Sequence, residues 1–93
     1  MRKEILNRLI NWFILHKMEA SLNVSEANTM ININGTNNCP TPAKLLAVRL
    51  KNNGIEVFTD KVDTWIPEED ILYNMKYLVY DAIKLTLDGV VLN

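Results

Sequence analysis

Ninety-three residues, 48% of them apolar and 23% charged, point to one small globular domain with a single modest core. A net charge of -1 excludes a molecule drawn as a whole toward nucleic acid or an anionic membrane. One cysteine excludes an internal disulfide and favours a reducing compartment, the cytoplasm.

Residues 2–20 read as an amphipathic helix. Leu6, Leu9, Ile10 and Phe13 recur at helical spacing, and Ile5, Trp12 and Leu15 widen the apolar face. Glu4 and Arg8 interrupt the apolar run, so a signal peptide is not expected, and the run is too short for a membrane span. Residues 21–28 are polar and read as a linker, with Ser25 placed to cap a turn. This gives two parts: residues 1–28, helix and linker, and residues 29–93, a small α/β sandwich.

The period then changes to two. Ile31 and Ile33 alternate with Met30, Asn32 and Asn34, which predicts a strand over 29–34. Gly35 to Pro42 reads as a turn. Thr41 suits a helix N-cap and Pro42 the first helical position. Over residues 42–52, Ala43, Leu46, Ala47 and Leu50 fall on one helical face, with Lys44 and Lys51 outside it. Gly54 would supply a left-handed cap. A strand follows at 55–60, with Ile55, Val57 and Thr59 on one side.

A second helix is expected from Pro67. Glu68, Glu69 and Asp70 suit the positive end of its dipole. Ile71, Leu72, Met75, Leu78 and Val79 form the expected buried face, and Tyr73, Tyr77 and Tyr80 a neighbouring stripe. Two endings fit the remaining residues. The preferred one stops the helix near Tyr80 and makes a hairpin of Ile83–Leu87, Asp88-Gly89 and Val90–Leu92. The other continues the helix to Leu87. The expected fold is thus α+β: a two-layer β-α-β-α-β-β sandwich with a four-stranded mixed sheet, preceded by the amphipathic helix. That helix would cover the open face of the sheet, pair with a second copy, or bind another protein.

Charge is unevenly spread. Residues 1–54 hold seven basic and three acidic side chains, whereas residues 55–93 hold three basic and eight acidic. The plain reading is two solvated faces. The sharper one is a dipolar molecule that docks charged partners. Twelve asparagines and no glutamine suggest an AT-rich coding sequence, as in low-GC bacteria and their phages.

Cys39 is the candidate for chemistry. It stands in the polar turn Asn38-Cys39-Pro40-Thr41-Pro42, just ahead of the expected helix, whose unpaired N–H groups would favour the thiolate. Lys44 would add positive charge. With no resolving thiol, an intramolecular dithiol mechanism is excluded, and what remains is sulfur carriage or a mixed disulfide. Free cysteines are also often small buried hydrophobes.

Ile31-Asn32-Ile33-Asn34-Gly35 followed by Cys39-Pro40-Thr41-Pro42 resembles the opening of the TusA-like (SirA-like) sulfur-carrier family. There a strand and a glycine lead to a Cys-Pro-x-Pro motif that opens the first helix. Asp60, Ile66-Pro67 and Asp88-Gly89 are similar to the family's acidic strand end, second helix start and last hairpin, so the resemblance spans residues 29–93. It departs from the family in an extra residue before Cys39, in Asn32 where aspartate is usual, and in a shorter stretch to Pro67. The resemblance implies a small cytoplasmic carrier that takes sulfane sulfur on Cys39 from a donor protein and passes it to an acceptor. The alternative is a non-enzymatic protein-binding module, such as a phage- or mobile-element-encoded inhibitor or accessory subunit, acting on a host target through its acidic C-terminal half.

Other constellations are weaker. His16 is the sole histidine, so no zinc site is expected, and neither is a cofactor. Asp60, Asp63, Glu68, Glu69 and Asp70 form an acidic cluster suited to a hard cation, although helix-start chemistry already accounts for the last three. Gly35 to Ala43 lacks the Gly-Lys-Ser/Thr ending of a phosphate loop. The basic residues are too few for direct nucleic-acid binding. The expected partners are proteins, including a second copy through the N-terminal helix.

Overall fold

A computed structural model describes residues 2–16, 21–34, 39–51 and 54–89. Helix α1 spans Arg2–His16. The strands are β1 (Leu22–Asn23), β2 (Met30–Asn34), β3 (Pro40–Lys51), β4 (Gly54–Thr59) and β5 (Ile66–Pro67), and helix α2 spans Lys76–Leu87. The protein is α+β: among the described residues an antiparallel five-stranded sheet is preceded in the chain by α1 and followed by α2. No helix among the described residues is long and apolar enough to cross a membrane.

The largest correction falls at the centre. Of residues 42–52, expected as a helix, 42–51 belong to β3 and Asn52 lies outside the described residues. The sheet runs through this segment: β1 and β2 pair with one edge of β3, and β4 with the other. A register shift between Leu45 and Ala47 breaks the two-residue period. Buried positions therefore fall at Ala43, Leu45 and Val48, all 0% exposed. On either side of the shift, Ala43, Leu46, Ala47 and Leu50 fall at the spacing of a helical face. Ladder pairing on both sides outweighs the helix propensity of Ala, Leu and Lys.

β1 and β2 form one interrupted edge. Asn23 faces Ala47 and Met30 faces Lys44, so four residues are looped out. Asn23 Oδ1 accepts from the Ser25 N–H at 2.9 Å and from the Ser25 hydroxyl at 2.7 Å. Asn28 closes the loop in the left-handed region, at φ 52°. The Val24 N–H to Leu46 oxygen and Leu45 N–H to Thr29 oxygen bonds, both 2.9 Å, bracket it. The expected linker is thus partly sheet, and Leu22 and Val24 enter the core.

After β4 the chain also departs from expectation. Pro67 does not open a helix but lies in β5, facing Glu56, while Ile66 faces Val57. A short 3-10 turn, Glu68–Asp70, then carries the chain to Ile71, which bridges to Ile33 on β2. Residues 66–71 therefore touch the outer edges of both β4 and β2. Burial of Ile66 and Ile71 at the two ends holds this crossing and delays α2 to Lys76.

The preferred C-terminal hairpin is corrected as well. Helix α2 continues to Leu87, and Val79, Tyr80, Ala82, Ile83 and Thr86 are buried along it. Asp88-Gly89 is its C-terminal cap: Gly89 has φ 72°, and its N–H reaches the Thr86 carbonyl at 3.1 Å. Asp-Gly suits both a tight hairpin and a helix cap, and the buried face before it decides between them. Val90–Leu92 lie outside the described residues.

In α1 the buried row is Ile5, Leu9 and Phe13, with Leu6 and Trp12 packed against it. These residues join the core formed by the strands and α2, so α1 lies beside α2 and not over the opposite face of the sheet. Arg8 pairs with Asp88 across the two helices. Residues 17–20 of the expected helix lie outside the described residues.

Candidate functional site

Cys39 is exposed and immediately precedes β3. The expected source of thiolate stabilisation, a helix N-terminus at Pro42, is absent because that segment is extended. The Thr41 hydroxyl donates to the Cys39 carbonyl at 3.4 Å. Gly35 to Asn38, which complete the turn, lie outside the described residues.

Pro40 and Pro42 have a structural reason to be where they are. Along β3, Leu45 directs its N–H toward the β2 side, reaching Thr29. Lys44 directs its own to the other side, where Asp60 Oδ1 accepts it at 2.8 Å. Alternation aims positions 42 and 40 the same way as Lys44, past the end of β4, where the described residues supply no ladder partner. Proline has no N–H to leave unpaired there, so the two prolines blunt an open strand edge. The motif that suggested a helix start thus fits the edge of a sheet.

Asp60 extends the β3–β4 ladder with its side chain, and its N–H donates to the Lys44 carbonyl at 3.1 Å. Glu68 is half-buried, and the Tyr80 hydroxyl donates to its Oε2 at 2.8 Å. Asp63, Glu69 and Asp70 are exposed. Among the described residues, no three His, Cys, Asp or Glu side chains gather as metal ligands would. His16 is the last residue of α1.

The carboxylates of the C-terminal half therefore divide into two sets. Asp88 is engaged by Arg8, and Glu56 by Arg49 at 2.7 Å. The Arg8 hydrogen bond holds the Asp88 carboxyl below its usual value of 3.8; desolvation opposes it, and the charges of Arg8 and then Lys84 add to the lowering. Asp63, Glu69, Asp70 and Asp81 remain exposed, as are Tyr73 and Tyr77 at 79% and 56%.

One arrangement escaped the sequence. Arg49 lies 4.3 Å over the Trp65 ring, its Nε donates to Glu56 Oε1 at 2.8 Å, and Phe58 stands 5.4 Å from Trp65. This cluster occupies the sheet face away from the helices. Its signal is the Glu56/Phe58 alternation opposite Arg49, readable only once residues 40–51 are taken as a strand. A shallow cleft lined by Arg8, Asn11, Trp12 and Leu87 lies between the helices.

Comparison with family models, curated proteins and solved structures returns no match.

Proposed function

We propose that the protein is a non-enzymatic protein-binding module, an inhibitor or accessory subunit of the kind carried by phages and mobile elements, acting in the cytoplasm through its acidic C-terminal half. The observation that carries this reading is the exposure, in the C-terminal half, of Asp63, Glu69, Asp70 and Asp81 and of Tyr73 and Tyr77. Four carboxylates and two tyrosines stand exposed there. Exposed tyrosine is costly to leave in water and is enriched where proteins meet. The carboxylates would speed encounter with a basic partner and fix its register.

Affinity capture from a bacterial host lysate tests the reading. Cys39→Ser keeps the partner, whereas the combined Glu69→Gln, Asp70→Asn, Asp81→Asn variant loses it. Glu68 is left intact because it holds Tyr80. Full retention by the charge-neutral variant would refute the proposal.

A second reading rests on the exposure of Cys39. As a carrier, its thiolate would attack the outer sulfur of a donor persulfide and leave the donor as a thiolate. Intact-mass measurement after incubation with a cysteine desulfurase and cysteine checks it. The carrier gains one sulfur atom on the wild type and none on Cys39→Ser. No added sulfur on the wild type, or equal addition to Cys39→Ser, rules it out.

A further inference from the structure

We propose that Asn34 is a site of spontaneous covalent modification, converted in the folded protein to aspartate and isoaspartate by attack of the following backbone nitrogen on its side-chain amide. Asn34 is exposed, ends β2 and is followed in the chain by Gly35.

The reaction consumes only water. The Gly35 nitrogen bonds to Asn34 Cγ and gives up its proton, the Cγ–Nδ2 bond breaks, and ammonia leaves with that proton. Water then opens the resulting succinimide ring. Addition at Cγ restores the ordinary main chain with an aspartate side chain. Addition at the Asn34 main-chain carbonyl leaves isoaspartate. Asparagine is among the thermolabile side chains, and a glycine that follows it has no Cβ to hinder the attack.

The fold selects Asn34 among the described asparagines. Ring closure needs a backbone free to rotate and an attacking nitrogen that is not already engaged. Asn7 and Asn11 lie within α1. The N–H after Asn23 bonds to the Leu46 oxygen at 2.9 Å, and the N–H after Asn74 to the Leu72 oxygen at 2.8 Å. Asn28 Nδ2 donates to the Glu26 oxygen at 3.4 Å. The Leu45 N–H to Thr29 oxygen bond sets the alternation of the β2–β3 ladder, whose bonds therefore fall on Ile31 with Ala43 and Ile33 with Thr41. Asn32 is held between those two pairs and precedes a β-branched residue. Asn34 lies beyond them, and its amide has no hydrogen-bond partner among the described residues.

The products alter this corner of the sheet. Asn34 faces Pro40, the residue after Cys39. Aspartate brings a negative charge there. Isoaspartate adds a carbon to the main chain, which the end of a strand absorbs and a mid-ladder position would answer with a loss of register.

The test incubates the full chain in warm, mildly alkaline buffer, native and in urea, and reads aspartate and isoaspartate by peptide mapping with mass spectrometry. In the native chain Asn34 converts before Asn7, Asn11, Asn23, Asn28, Asn32 and Asn74. Its conversion is slowed less than about tenfold relative to urea, as expected of a strand end that opens for less than about 1.4 kcal/mol. Asn53 also precedes a glycine, so isoelectric focusing follows the Asn53→Gln variant. That variant still accumulates an acidic species with time. Adding Asn34→Gln, which would require a six-membered ring, abolishes it, and circular dichroism verifies that both variants are folded. Conversion of any of the other six before Asn34, protection of Asn34 beyond about tenfold, or loss of the acidic species in Asn53→Gln alone overturns the proposal.

Discussion

Adjacent leucines on β3 give the sharpest test of the fold. A helix over 42–52 would bury Leu46 and turn Leu45 aside; the strand buries Leu45 completely and leaves Leu46 half-exposed. Truncating a fully buried leucine to alanine costs about 2.7–5 kcal/mol, the lost transfer energy plus a cavity. Leu46 loses the same three carbons at about half burial and with room to relax, for about 1 kcal/mol. A chain of this size has about 5–14 kcal/mol of total stability. Leu45→Ala therefore removes a large share of it, and Leu46→Ala a small one. Urea unfolding followed by far-ultraviolet circular dichroism reads both, with a denaturant slope shared by the variants as the check on two-state behaviour. The midpoint falls at least twice as far for Leu45→Ala. An equal or larger fall for Leu46→Ala would refute the strand and its register.

Three further outcomes follow from single contacts. Because Arg8 holds the folded-state pKa of Asp88 below 3.8, the pair stabilises the protein above that pH and the contribution fades as pH falls through the folded value. Asp88→Asn should thus flatten the acid limb of a stability-against-pH curve, and an unchanged limb would show the pair to be inert. Arg49→Ala removes a cation–π contact and a half-buried ion pair, for about 1–2 kcal/mol, and leaves Trp65 wetter. Its fluorescence check is a red-shifted emission, and an unmoved spectrum counts against the cluster. Tyr80→Phe deprives Glu68 of a charge-assisted hydrogen bond and should cost about 1.5–3 kcal/mol in thermal or urea unfolding; a loss below about 0.5 kcal/mol would mean that water replaces the hydroxyl without cost.

Much of the periphery was legible from residue order alone. The spacing of Leu6, Leu9, Ile10 and Phe13 announces α1, and strict alternation announces β2 and β4, because one-sided burial imposes the period of the backbone on the side chains. The exposure of Cys39 is consistent with its polar turn. The exposure of Asp63, Glu69 and Asp70 was also legible, since unpaired charge stays in water whatever the fold.

Local pattern could not settle the centre. Residues 40–51 carry helix-forming side chains and a register shift that disguises a strand, and only β2 and β4 on either side make the extended form the stable one. Ile66-Pro67 and Asp88-Gly89 each fit two local structures. The bridge from Ile71 to Ile33 and the buried face of α2 choose between them. The sequence alone thus determined the periods of α1, β2 and β4, but not that Leu45, Tyr80, Leu22 and Val24 enter the core. The tertiary structure decided how the central segment satisfies its backbone hydrogen bonds, because those partners lie on strands distant in the chain.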